Sequence, residues 1–201
     1  MGRAKEYIRK MQKYIADVES GERNAGELER LAVQRHLDDL KYSVERGIYW
    51  DEKAAMKALS FFTLLRHYQG EWAGKEFILE GWQCFIIGSL FGWKKAGGVR
   101  RFNTAYVEVS RKNGKTLLAA GIGLYLLYLD DEQGAQVFSA AVDKEQAKVC
   151  WDAAVAMIEQ STPLLKRTML SKKAIAVESS RSTFKPLSKD TKNKDGFNPH
   201  G

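Results

Sequence analysis

Cysteine and histidine are scarce in these 201 residues: two of the first, Cys84 and Cys150, and three of the second, His36, His67 and His200. The cysteines stand in apolar surroundings, too far apart for a metal or redox motif, and the histidines form no ligand pattern with them. No zinc site is expected, and the thiols are expected to be reduced and buried, as in a cytosolic protein. Long apolar runs are missing as well. The longest, residues 117 to 129, falls short of the roughly 20 residues that span a bilayer, so no membrane insertion is expected. The opening Met1-Gly2-Arg3-Ala4-Lys5-Glu6 has neither the hydroxyl residue that N-myristoylation needs nor the apolar run of a signal peptide.

What is present is ordinary for a globular chain: 44% hydrophobic and 28% charged residues. The length suits one domain with a real core and a small helical appendage. A formal net charge of +7 and a pI near 9.3 suit an acidic partner, whether nucleotide, nucleic acid or both.

One stretch brings spacing, flanks and chemistry together: Ser110-Arg111-Lys112-Asn113-Gly114-Lys115-Thr116. Before it, Thr104-Ala105-Tyr106-Val107-Glu108-Val109 reads as a short buried strand, rich in β-branched and aromatic residues. After it, residues 117 to 129 read as a buried helix beginning near Lys115. Such a helix leaves its first N–H groups unpaired, with its positive dipole end facing the turn, where an anion belongs. Gly114 lets backbone approach a phosphate, Lys115 reaches the terminal phosphates, and the Thr116 hydroxyl completes a Mg²⁺ shell. The full pattern asks for a glycine where this chain has Val109. The alternative is a basic loop ahead of an ordinary buried helix.

Along the chain, Tyr7, Ile8, Met11, Ile15 and Val18 recur at helical spacing, with a stop at Glu19-Ser20-Gly21. A second amphipathic helix is expected over residues 27–45, with Leu28, Leu31, Ala32, Leu37, Leu40 and Val44 inward. A third, capped by Asp51, runs through Ala55, Leu59, Phe62, Leu65 and Arg66. His36 and His67 are read as surface or packing residues. An apolar helix follows over 77–93, and Gln83 at its head offers the donor and acceptor that the N6 and N7 edge of adenine requires; alone, it would be a solvated cap. Lys94 to Arg101 forms a basic, glycine-containing loop, either for phosphate or DNA or simply solvated. Ala135 to Ala141 reads as a second buried strand, and a helix over 144–160, capped by Asp143, turns Ala147, Val149, Cys150, Ala153, Ala154, Met157 and Ile158 inward. Strand, turn, helix, strand, helix is the order of a right-handed βαβ unit. Pro163 starts a short helical segment, and residues 174–178 and 182–187 read as short strands. From Ser161 on there are nine Lys or Arg against three Asp or Glu.

Five segments stand in an order that resembles the large subunit of a tailed-bacteriophage terminase, the ATP-driven motor that packages DNA into a capsid. They are residues 70–75 (Gly-Glu-Trp-Ala-Gly-Lys), 79–83 (Leu-Glu-Gly-Trp-Gln), 90–93 (Leu-Phe-Gly-Trp), 110–116 and 195–201 (Asp-Gly-Phe-Asn-Pro-His-Gly). The resemblance implies an α/β fold: a P-loop NTPase-type parallel sheet flanked by helices, with a helical lead-in at 1–70 and a partial ATPase domain at 71–201. It implies ATP and Mg²⁺ as cofactors. Lys115 and Thr116 would be the phosphate and metal residues of a Walker A loop spanning Ser110, Arg111, Lys112, Asn113, Gly114, Lys115 and Thr116. Gln83 would be the adenine sensor, and Arg111 the arginine that stabilises the transferring phosphate. Members of the family tolerate loss of the first glycine. The partners implied are double-stranded DNA, the capsid portal and the small terminase subunit, with homo-oligomerisation left open and the host cytoplasm as location. The acidic Walker B pair, placed in the family just past the Asn-Pro-His-Gly segment, is not found, so an incomplete, N-terminal fragment with negligible ATP turnover is expected. Two other readings remain: another P-loop ATPase such as a helicase, and a non-catalytic DNA-binding or assembly module.

Overall fold

The computed structural model describes residues 2–187 and 199–201. Residues 195–198 of the terminal motif therefore lie outside the described residues. The chain forms two compact units, one from the residues up to Phe62 together with Ile78–Glu108, the other from Thr63–Phe77 together with the residues from Val109 on.

The first unit is helical. Helix α1 (Gly2–Glu19) buries Tyr7, Ile8, Met11, Tyr14, Ile15 and Val18 on one face, and Gly21 leaves it at φ 78°. Helix α2 (Glu27–Lys41) follows, then strand β1 (Ile48–Trp50) and helix α3 (Glu52–Phe61). Helix α4 (Gly81–Gly92) runs into strand β2 (Trp93–Lys95), which pairs antiparallel with β1. Helix α4 packs on α1 and α3, and its glycines make the approach close. A Cβ on Gly88 would lie 2.5 Å from Met11 Sδ, and one on Gly92 would lie 2.7 Å from the Trp50 ring. Burial of each large apolar side chain here contributes about 1.5–3 kcal/mol.

Helix α2 turns a different face inward from the one its apolar residues suggest. Val33, His36 and Asp39 are buried, while Leu28, Leu31, Leu40 and Val44 are exposed. The reason is that the buried polar groups are satisfied. His36 Nδ1 accepts from Trp93 Nε1–H at 3.0 Å, and its ring meets Trp50, Phe85 and Trp93 edge-on. Arg46 Nη1 donates to Asp39 Oδ1 at 2.6 Å, and Arg101 Nη1 donates to Oδ2. A buried carboxylate is tolerated only with such partners. Helix α3 also ends earlier than expected, at Phe61, and a short 3₁₀ turn over Phe62–Leu64 carries the chain out of it. Residues 94–101 form a hairpin off β2, in which Lys95 N–H donates to Val99 C=O at 2.9 Å and Arg101 N–H to Trp93 C=O at 3.0 Å.

The second unit holds helix α5 (Lys115–Tyr128), strand β3 (Gln136–Ala140), helix α6 (Lys144–Glu159), the short helix α7 (Thr162–Leu165) and strands β4 (Met169–Leu170), β5 (Ile175–Val177) and β6 (Ser182–Leu187). The sheet order is β3-β6-β5-β4. It is mixed: β3 runs parallel to β6, and the β6–β5 and β5–β4 pairs are antiparallel. Val137, Phe184 and Ile175 pair in one buried row across three strands, and Gly123 of α5 lets that helix settle on Phe184, whose ring would lie 3.0 Å from a Cβ there. Helix α6 starts under its Asp143 cap as expected, although Val149 is 50% exposed and Trp151 takes the inward position. Pro186 pairs with Ser139 on one side of β6, beyond the reach of β5 on the other, where a missing N–H leaves no ladder bond unmade.

The segment expected as the strand before the phosphate turn, Thr104 to Val109, belongs to no strand and pairs with nothing among the described residues, and Tyr106 is 81% exposed. β propensity does not make a strand without a partner. The outer edge of β3 is taken instead by Pro199 to Gly201, with His200 N–H donating to Gln136 C=O at 2.9 Å and Phe138 N–H to Gly201 C=O at 2.8 Å.

Two outcomes follow for the first unit. Arg101, at 19% side-chain exposure, has less access to water than Arg46 at 40%. Arg101→Met should therefore destabilise by about 3 kcal/mol or more, and Arg46→Met by less, in urea unfolding. Burial first, with the Arg101 and Arg35 cations adding and Asp39 opposing, pushes His36 down to about 4. Unfolded, it titrates near 6.5, so between these values the unfolded chain binds more protons. Stability should be full above the upper value and fall towards the lower one, by up to about 1.4 kcal/mol per pH unit. Urea titrations across that window should show the fall flattened in His36→Gln.

Candidate phosphate-binding site

The loop expected to hold phosphate is built from residues 110–116 at the start of α5, within the second unit. Gly114 occupies the N-cap position in the left-handed region, φ 72° and ψ 13°, with no side chain capping the helix. The first helical bond runs from Leu118 N–H to Gly114 C=O at 3.0 Å, so the N–H groups of Lys115, Thr116 and Leu117 have no partner within the helix. Helices α3 and α6 are closed differently. Asp51 Oδ1 accepts from Ala54 N–H at 3.0 Å at the head of α3, and Asp143 Oδ1 from Gln146 N–H at 2.7 Å at the head of α6. Each of those has an acid in its first turn, whereas α5 has none.

Ahead of Gly114, Asn113 Nδ2 donates to Ser110 C=O at 3.3 Å and closes the turn. Ser110, Arg111, Lys112, Asn113 and Lys115 are exposed, and Gly114 and Thr116 half-buried. Among the described residues none of Arg111, Lys112 and Lys115 forms an ion pair. Three cations thus surround the positive end of a helix, an arrangement an anion would stabilise.

The left-handed positions of the loop are Lys112, at φ 70°, and Gly114; Val109 is not among the residues with positive φ. A β-branched side chain is therefore compatible with position 109. The strain falls on Lys112, a feature with no signal in the motif.

Gln83 belongs to the first unit. It is 4% exposed, and its Oε1 accepts from Glu80 N–H at 2.9 Å, capping α4. It caps the helix from a buried position rather than a solvated one. Of the other titratable groups singled out, His67 stacks edge-on with Phe77 at 5.2 Å, and burial, then Lys75, lowers its pKa. Burial pushes the Cys84 thiol up to about 12 and Cys150 up to about 11, which leaves neither reactive. Among the described residues no group of three or more His, Cys, Asp or Glu could hold a metal. No helix of the described residues is long and apolar enough to cross a membrane.

The family model for the ATPase domain of the terminase large subunit matches residues 81–200. The chain belongs to this family. That match takes in Gln83, the whole of the 110–116 loop, and α5, α6 and the mixed sheet. The large terminase subunit of Enterobacteria phage HK97 is 34% identical over 99 residues, which are 47% of this chain and 19% of that protein. The crystal structure of the HK97 bacteriophage large terminase superposes with a TM-score of 0.60 at 24% identity, over 72% of this chain and 29% of that one. The second likeness shows the fold. The chain spans about a fifth to a third of these relatives.

The loop geometry has a consequence of opposite sign at two neighbouring positions. Lys112→Gly should stabilise the chain by up to about 1 kcal/mol, and Gly114→Ala should destabilise it by about 1 kcal/mol, both read from urea unfolding without nucleotide.

Proposed function

We propose that this chain binds ATP through residues 110–116 and forms ATPase machinery of a phage DNA-packaging motor. The observation that supports it most is the uncapped first turn of α5 behind a left-handed Gly114, ringed by exposed Arg111, Lys112 and Lys115, in a chain matched by the terminase ATPase-domain model.

In this reading the N–H groups of Lys115, Thr116 and Leu117 donate to the phosphate oxygens, with Gly114 admitting them close to backbone. Lys115 neutralises the terminal phosphates as a point charge. Arg111 places a guanidinium on the transferring γ-phosphate, where charge stabilisation is the main catalytic contribution. The Thr116 hydroxyl would be one ligand of Mg²⁺, which, when bound, would neutralise phosphate charge. For Gln83, one lone pair of Oε1 serves the α4 cap, and the second lone pair and the amide N–H₂ are what it would offer the adenine edge. The domain reading that accompanies this is a helical lead-in followed by a partial P-loop domain. Double-stranded DNA, the capsid portal and the small terminase subunit would be its partners in the host cytoplasm.

Binding and turnover separate cleanly. Calorimetric titration with Mg²⁺ and a non-hydrolysable ATP analogue should show binding that weakens at least about tenfold, or 1.4 kcal/mol, in Lys115→Ala. The unfolding free energy of that exposed variant should stay within about 0.5 kcal/mol of the parent. Equal binding by both proteins would remove the proposal. Turnover by these 201 residues should be negligible, because Lys115, Arg111 and Thr116 bind and neutralise phosphate but none is a base that orients the attacking water. Steady ATP hydrolysis abolished by Lys115→Ala would overturn that expectation.

The basic character of the chain from Ser161 on, nine Lys or Arg against three Asp or Glu, favours one other reading, a non-catalytic DNA-binding module. It requires salt-dependent DNA binding that Lys115→Ala leaves unchanged, with no nucleotide binding.

A further inference from the structure

Among the described residues, Pro199, His200 and Gly201 lie parallel to β3 through two backbone hydrogen bonds, His200 N–H to Gln136 C=O and Phe138 N–H to Gly201 C=O. Backbone bonds are alike at every residue and cannot by themselves choose a register; a slip by one residue would turn every side chain to the opposite face. Side-chain contacts must therefore do it. Two are present, on consecutive residues, and both come from the same end of α5.

His200 Nε2 lies 2.6 Å from Asp130 Oδ2, just past the end of that helix, and the two side chains are 16% and 10% exposed. Gly201 is read sterically: a Cβ there would lie 2.2 Å from Leu126 Cδ1, so a larger residue fits only if the tip of the Leu126 side chain moves. Leu126 lies in the last turn of α5, and Asp130 follows just beyond the helix end at Tyr128. Pro199 adds a third restriction, since it has no N–H and the first ladder donor of the segment must be His200.

We propose that the last turn of α5 is a register clamp. Asp130 selects a histidine, and Leu126, where it stands, leaves room for no side chain after it, so that residues 199–201 dock on β3 in one alignment. His200 and Gly201 are thus positioning residues. The helix whose first turn forms the phosphate loop fixes, at its far end, which residue of the segment meets Gln136 and which meets Phe138. The inference holds whether or not the loop binds nucleotide, and its test uses none.

Amide hydrogen exchange of the 201-residue chain, followed by NMR, reads the clamp at one atom. Phe138 N–H reports the docked segment, while Thr183 N–H, which donates to Ala135 C=O at 2.8 Å, reports the β3–β6 side of the same strand. Gly201→Ala should speed exchange at Phe138 by about tenfold or more through overpacking against Leu126, and leave Thr183 unchanged. Adding Leu126→Ala to it should restore Phe138 protection to within about threefold of the parent, as coupled neighbours do. His200→Ala should act like Gly201→Ala, and Asp130→Asn, which keeps an acceptor, should act more weakly. Unchanged protection at Phe138 in Gly201→Ala and His200→Ala would overturn the clamp. Equal loss at Phe138 and Thr183 would also overturn it, because the residues would then serve only general stability. So would a Gly201→Ala defect that Leu126→Ala fails to repair.

Discussion

The second unit depends on a helix that cannot satisfy its own beginning. The 14 residues of α5 supply no side chain to the N–H groups of their first turn and no acid to offset the dipole there. An end of this kind is unfavourable unless water or an anion meets it, and a helix held loosely would fray it away. Packing prevents that. Leu118, Leu124, Tyr125 and Leu127 are buried, Gly123 settles on Phe184, and Leu126 abuts Gly201. The apolar surface and the open donors are thus on one element for related reasons: the burial keeps the first turn rigid, and a rigid turn presents its donors in a fixed direction.

In the first unit the order of importance between apolar and polar groups is reversed. Apolar residues at helical spacing were enough to recognise α1, where Tyr7, Met11 and Val18 do face inward. They were misleading on α2, where two leucines of the first turns lie in water while His36 and Asp39 are enclosed. A sequence shows which residues are apolar, but not whether a polar one will meet partners. Asp39 meets Arg46, seven residues away, and Arg101, 62 residues away, and His36 meets Trp93, 57 residues away. Only a folded chain brings these together, so the inward face of α2 had no local signal. Gln83 belongs to the same class, since its bond to Glu80 N–H is local and legible as a capping pair, whereas its burial is not.

The sheet was legible where strands are long and apolar and illegible where pairing decides. Residues 136–140 and 182–187 stood out by composition and are β3 and β6. The two residues of β4 and the three each of β1 and β2 are too short to carry a pattern. Thr104 to Val109 has the composition of a strand and lacks the partner, which is a reminder that β character measures fit to a neighbouring strand rather than a preference of the chain alone. The turn ahead of α5 was legible because its features are local: a left-handed glycine, then lysine, then an apolar helix.

What the motif did not contain is where the loop stores its strain. A pattern with glycine at both ends would suggest that both ends need it, yet Val109 stands at the first position outside the left-handed region and Lys112 stands within it. A lysine held there costs about 1–2 kcal/mol, and it places a third cation beside Arg111 and Lys115 at the positive end of α5. Both effects raise the free energy of the loop when no anion is present, and only the second is relieved when one arrives. The left-handed backbone is not peculiar to this loop, since Asp131 and Arg181 adopt it in other turns of the second unit. What distinguishes Lys112 is its place: the turn closed by Asn113 on Ser110 stands just ahead of the uncapped first turn of α5, so its charge adds to the positive end of that helix.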